Sequence, residues 1–166
     1  MATVENLGSA FAGESQANRR YLAFAKQADQ DGLPNVARLF RAAAEAETVH
    51  ALAELKMAGG IGKTAANLEA AVAGEAFEFQ EMYPQFAAEA TAEKNQPAAE
   101  SFRRTQQAER IHHQLYTAAL ETVRAGRDLP GGSIFVCSVC GHTVIGQPEE
   151  TCPICGAARS RYVEVK

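Results

Sequence analysis

No apolar run in this chain approaches the ~20 positions that a helix needs to cross a bilayer. The first residues carry Glu5, Glu14, Arg19 and Arg20 instead of the apolar centre of a secretion signal. The expectation is a soluble, cytoplasmic protein with no membrane partner. Excess positive charge is missing as well. A formal charge of −4 and a pI near 5.6 argue against nucleic acid as the main partner. Cysteine is absent from the first 136 of the 166 residues, and all four cysteines fall in the last 30 as two Cys-x-x-Cys pairs. In a reducing compartment that usage means metal binding rather than disulfides. No Gly-x-Gly-x-x-Gly fingerprint occurs, so the chain carries no dinucleotide-binding signature of its own.

What is present, over the first three quarters, is alanine, with glycine and proline gathered at joints. This composition predicts helices joined by short loops. The first helix runs from about Val4 to Gln30 and stops at Asp31-Gly32-Leu33-Pro34; the second runs from Pro34 to Met57 and stops at Gly59-Gly60-Ile61-Gly62. Thr64 is the expected N-cap of a third helix over 65–93, which Pro84 should kink. A fourth helix spans about Pro97 to Arg124.

Glu47-Thr48-Val49-His50 is answered once, by Glu109-Arg110-Ile111-His112. Three positions on a helix are about 300° of rotation and ~4.5 Å of rise, so the carboxylate and imidazole of each pair leave one face. One such pair alone is more often solvated surface than a ligand pair. Two pairs near mid-helix, with Glu14 and Glu75 on the remaining helices, favour a metal site instead. This is the inward-facing donor set of ferritin-like di-iron and di-manganese four-helix bundles. Glu78 adds a second carboxylate one turn after Glu75. Tyr21 and Tyr83 each have two readings, a hydroxyl reaching the site's surroundings or a core ring. Glu54, four residues past His50, is expected to face water, and His113 should point about 100° away from His112.

A linker over 127–133 leads to a different pattern. Cys137-Ser138-Val139-Cys140-Gly141 and Cys152-Pro153-Ile154-Cys155-Gly156 form two knuckles flanked by short strand-like runs at 134–136 and 161–165. The 33 residues from 134 to 166 cannot bury enough apolar surface to fold alone, so a metal on four thiolates must supply stability. Spacing does not choose between zinc and a single iron.

Together these stretches resemble rubrerythrin, and the likeness covers essentially the whole chain. Its most specific parts are Gly13-Glu14-Ser15-Gln16-Ala17, the segments around both Glu-x-x-His pairs, Gly74-Glu75 to Glu78, Glu81-Met82-Tyr83-Pro84 and the Cys-Pro-x-Cys-Gly knuckle. The resemblance implies an all-α ferritin-like four-helix bundle over 1–126 and a rubredoxin-like domain over 134–166. It implies a di-iron centre held by Glu14, Glu47, His50, Glu75, Glu78, Glu109 and His112. A rubredoxin-type iron, replaceable by zinc on heterologous expression, would sit on Cys137, Cys140, Cys152 and Cys155. The implied activity is a non-haem peroxidase reducing hydrogen peroxide to water in oxidative stress defence, fed by an external reductase. Glu78 and His50 would be alternative ligands of one iron. The competing readings are a ferroxidase that handles iron and a non-enzymatic zinc-ribbon module that binds a partner.

Only 25 positions separate His50 from Glu75, shorter than is general in rubrerythrins whose bundle closes within one chain. With the second and third helices parallel, about nine non-helical residues must travel back roughly 20 to 30 Å. A domain-swapped homodimer removes that strain.

Overall fold

The computed structural model describes residues 2–166. The chain divides into two compact units, Met1–Gly62 and Lys63–Lys166. The first is a helical hairpin of α1 (Ala2–Gln30) and α2 (Pro34–Met57). The turn between them follows from Gly32, which takes φ +74°, a conformation that costs a glycine nothing sterically. There Leu33 N donates to Ala28 O at 2.8 Å and Gly32 N to Asp29 O at 3.1 Å, the paired bonds that satisfy the last carbonyls of a helix.

Alanine lets the two helices of this hairpin lie close. Ala17, Ala25 and Ala28 of α1 are buried with Ala37, Ala44 and Ala51 of α2, and no larger side chain in the hairpin is. Asn18 crosses from α1 to donate to Ala44 O at 2.7 Å and Thr48 Oγ1 at 2.8 Å. Beside it the rings of Tyr21, Phe24 and Phe40 lie with centroids 5.6 to 6.3 Å apart.

The second unit opens with α3 (Thr64–Phe77), a π-turn (Glu78–Met82) and α4 (Tyr83–Ala92), followed by α5 (Gln96–Arg124). Two differences from expectation appear here. Thr64 is the first helical residue, not the cap; Lys63 occupies the cap position and makes no side-chain capping bond. The third rod is interrupted by a π-turn just before Pro84 rather than simply bent. The α4–α5 turn is built by Lys94 at φ +60°, with Asn95 N on Ala90 O at 2.8 Å and Lys94 N on Thr91 O at 3.1 Å. It repeats the Gly32 turn with a residue that pays a steric cost there.

A three-stranded antiparallel sheet follows, in the order β2-β1-β3, from β1 (Ile134–Cys137), β2 (Thr143–Ile145) and β3 (Tyr162–Val165). Phe135 faces Val144 on one side and Glu164 on the other. The short strand β2 has no counterpart in the sequence reading. Within the described residues no helix is long and apolar enough to cross a membrane.

The two hairpins are copies of one pattern. Tyr21, Phe24, Phe40, Glu47 and His50 recur 62 positions later as Tyr83, Phe86, Phe102, Glu109 and His112, whereas Glu14 recurs 61 positions later as Glu75. The second aromatic trio repeats the first, with centroids 5.6 to 6.3 Å apart. One extra residue therefore lies between Glu75 and Tyr83, and the π-turn is where the helix accommodates it: Tyr83 N bonds back five residues to Glu78 O.

Candidate metal centres

In the first hairpin, donor atoms of Glu14, Glu47 and His50 lie within 4.8 Å of one another. Glu47 and His50 share a helix face, with Oε2 and Nδ1 3.1 Å apart. The Glu14 carboxyl is held above its ordinary range, first by its hydrogen bond with Glu47, while Glu47 is lowered by that bond and by the one to His50. The pair thus shares a proton that a cation would displace. Glu54 does not face water as expected: its Oε2 is buried without a hydrogen-bond partner, and its charge adds to the raising of Glu14.

The second hairpin repeats the arrangement. Donor atoms of Glu75, Glu109 and His112 lie within 4.8 Å, and His112 Nδ1 is 2.6 Å from Glu109 Oε2. Burial, and then the charge of Glu109, push Glu75 up to about 7. Glu78 is raised by burial and by Glu109 as well, so it stands close to the cluster without being one of the three. The Tyr83 hydroxyl is raised by burial and by the charges of Glu78, Glu109 and Glu75, while its ring packs with Phe86 and Phe102. Tyr21 is placed by its ring contacts with Phe24 and Phe40. His113, expected on another face, packs its ring edge-on to Phe79 at 5.4 Å.

The imidazole of His112 is oriented from both sides. Nε2 lies 3.1 Å from the carbonyl oxygen of Gly141 and 3.0 Å from Thr143 Oγ1. A carbonyl only accepts, so Nε2 carries a proton and donates it to Gly141, leaving Nδ1 as the nitrogen that faces the carboxylates. Gly141 follows Cys140 directly. Around this contact α5 and the sheet enclose a largely apolar cavity of about 530 Å³, lined by Leu115, Tyr116, Ile134 and Val136 among others.

Four sulfur atoms form the third cluster. Cys137, Cys140, Cys152 and Cys155 all lie within 4.8 Å, with Sγ pairs at 3.8 Å (Cys137 and Cys155) and 3.5 Å (Cys140 and Cys152). A tetrahedron with ~2.3 Å metal–sulfur bonds has edges of about 3.8 Å, so the spacing fits a four-thiolate metal. Burial raises the Cys140 thiol. For Cys152, hydrogen bonds from the Tyr162 hydroxyl and from backbone N–H groups outweigh burial and bring it down to about 6. Tyr162 is in turn bound to His142 Nδ1 at 2.6 Å.

Every residue expected at a metal site thus falls in or beside one of three clusters. Sequence reasoning missed the His112 contact with Gly141 and Thr143 and the Tyr162 contact with Cys152, which depend on tertiary packing. It missed the π-turn too, although the 61-versus-62 spacing of the two copies was a readable signal.

Comparison with known proteins agrees with this geometry. The family model described as Rubrerythrin matches residues 5–120, and the one described as Rubrerythrin, rubredoxin-like domain, matches residues 135–163. The chain is 33% identical over 174 residues to Rubrerythrin-2 of Clostridium acetobutylicum, covering 96% of this chain and 95% of that protein. It is 36% identical over 168 residues to Nigerythrin of Nitratidesulfovibrio vulgaris, covering 93% and 82%. A solved structure of nigerythrin in a partially reduced state aligns over 98% of this chain and 86% of its own, at 34% identity and a TM-score of 0.57.

Proposed function

Because the chain belongs to the rubrerythrin family, with its di-iron domain and a rubredoxin-like four-cysteine knuckle, we propose that it is a cytoplasmic peroxidase that reduces hydrogen peroxide to water. A separate reductase supplies the electrons through the knuckle. The balance is one peroxide, two electrons and two protons to two waters. When bound, the iron pair supplies both electrons together, so the O–O bond breaks without releasing a radical.

The protein's own groups have distinct tasks in this proposal. Glu14, Glu47, Glu75, Glu78 and Glu109, with His50 and His112, hold the iron pair; Cys137, Cys140, Cys152 and Cys155 hold the third iron. The crowded carboxylates yield protons when cations bind. Tyr83, whose hydroxyl is raised by burial and by the charges of Glu78, Glu109 and Glu75, would supply a proton-bearing group to those surroundings, and of the two candidate tyrosines it is the better supported. The observation that carries the reading is His112, which touches Glu109 through Nδ1 and the residue after Cys140 through Nε2. One side chain therefore bridges the carboxylate cluster and the thiolate knuckle, as an electron feed requires. A ferroxidase needs no such feed, and a zinc ribbon with solvated glutamates needs no clustering.

We further propose that the working unit is a domain-swapped homodimer. Six residues, Ala58–Lys63, join α2 to α3 and reach at most ~21 Å. Bringing Glu75 of α3 level with His50 of a parallel α2 means a return past 7 residues of α2 and 11 of α3, about 27 Å at ~1.5 Å per residue. Parallel placement of the second and third helices in one four-helix bundle is therefore out of reach within a chain. The α1–α2 hairpin leaves Leu39 at 69% and Val49 at 62% exposure, apolar surface that a second chain would cover. In this division residues 1–126 supply the di-iron domain, 127–133 the linker and 134–166 the knuckle.

Stopped-flow mixing of the anaerobically reduced protein tests the activity. Oxidation by peroxide should be much faster than by oxygen, and the red absorption of the ferric four-thiolate site should follow that of the iron pair. Faster reaction with oxygen would favour ferroxidase; a colourless, unreactive protein would favour the zinc-ribbon reading.

A further inference from the structure

The π-turn leaves one backbone group without a helical partner. In the five-residue pattern Tyr83 N is committed to Glu78 O, so the next donor, at position 84, would serve Phe79 O. Position 84 is proline, which has no N–H. A part-buried carbonyl in that state is costly unless another donor reaches it. Gln106 of α5 does: its Nε2 donates to Phe79 O at 3.0 Å. The same α5 face holds the Phe79 ring, through the edge contact with His113 two turns further on.

The first hairpin shows that this bond is specific to the inserted residue. Position 44, the counterpart of Gln106, is alanine, and there the cross-helix bond runs the other way, from Asn18 to Ala44 O. The second hairpin reverses the donor, supplying a long amide from α5 to a carbonyl that exists as an orphan only because of the π-turn and Pro84.

We propose that Gln106 is a positioning residue that locks the extra residue of the π-turn and so fixes where Glu78 is presented. This rests on the reading of Glu78 as a ligand of the iron pair. Glu78 is the first residue of the turn and its own carbonyl holds Tyr83, so slippage of the turn toward regular helix would rotate Glu78, by up to about 100°, away from Glu109.

The test compares Gln106→Leu, Glu78→Gln, their combination, and Gln106→Leu with Pro84→Ala, which returns an N–H to position 84. In the metal-free full chain, Gln106→Leu should speed amide exchange across residues 78–83 about fivefold or more, and Pro84→Ala should restore it. In iron-loaded protein, Gln106→Leu should shift the midpoint potential of the iron pair in the direction that Glu78→Gln does. Their combination should add nothing further, and the four-cysteine iron should be unmoved. Unchanged exchange with an unchanged potential, or a potential shift fully additive with that of Glu78→Gln, overturns the proposal. If Gln106→Leu alone does not fold, the double variant decides: native exchange supports the lock, and failure to fold overturns it. A wild-type chain that binds no iron pair overturns the ligand reading itself, which the unaltered chain reveals before any variant is compared.

Discussion

His112 Nε2 lies 3.1 Å from the carbonyl oxygen of Gly141, one residue beyond the Cys140 thiolate, and Thr143 Oγ1 closes a triangle by donating to the same carbonyl at 3.1 Å. The contact lies wholly within the unit Lys63–Lys166, so the proposed electron feed from the cysteine knuckle would run inside that unit. Thr143→Val keeps the shape and removes the hydroxyl. Electron transfer from the four-cysteine iron to the iron pair should slow about fivefold, the factor that ~1 kcal/mol represents. Oxidation of chemically prereduced protein by one equivalent of peroxide should be unaffected. Rapid-mixing spectra of the two iron chromophores check both.

The crowded carboxylates make the metal-free protein sensitive to pH. Glu75 is raised to about 7 and Glu78 upward by burial and by Glu109; His112 is raised by its bond with Glu109. For each, the folded chain holds a proton more tightly than the unfolded one. Their stabilising contribution is full below the unfolded values and is lost as pH rises through the folded ones. The lowered Glu47 acts oppositely and loses its contribution in acid. The metal-free chain should melt at lower temperature at pH 8 than at pH 5.5, and iron should reverse that order. Thermal melts with and without chelator test this.

A swapped dimer can be distinguished from a single-chain site by complementation. One variant carries Glu47→Gln and His50→Ala, the other Glu75→Gln and Glu109→Gln, and each alone should lack the iron pair. Unfolded together and refolded, the mixture should regain iron pairs in mixed dimers, because one site per dimer then combines two intact halves. Sites closed within one chain would give no recovery.

Lys94 offers a stability change remote from the chemistry. It holds φ +60° in a turn that Gly32 makes at φ +74°. Lys94→Gly should therefore stabilise the chain by about 0.5–1 kcal/mol, seen as a higher melting temperature with unchanged iron content.

The helices were legible because their stops are written in glycine and proline: α2 begins and ends at the residues the sequence indicates, and α1 and α5 differ only at their first turns. The pairing of Glu47 with His50 and of Glu109 with His112 was legible because a three-residue spacing on a helix fixes a shared face. Besides the tertiary contacts of His112 and Tyr162, strand β2, the π-turn and the burial of Glu54 were not. Strand β2 is three residues long, too short for alternation to show. The π-turn needs the two hairpins to be compared with each other before its extra residue appears. Glu54 carries the composition of a surface residue, and only packing encloses its Oε2.

In the proposed enzyme, carboxylates and imidazoles of both hairpins would hold two cations in addition to the one on the cysteines. Iron analysis of protein produced in iron-replete cells, read with Mössbauer spectra, decides whether they do. About three irons per chain are expected, two of them an exchange-coupled pair in oxygen and nitrogen coordination, with loss of that pair alone in Glu109→Gln. A single iron per chain, all of it in the four-sulfur site, would rule out an iron pair on these carboxylates.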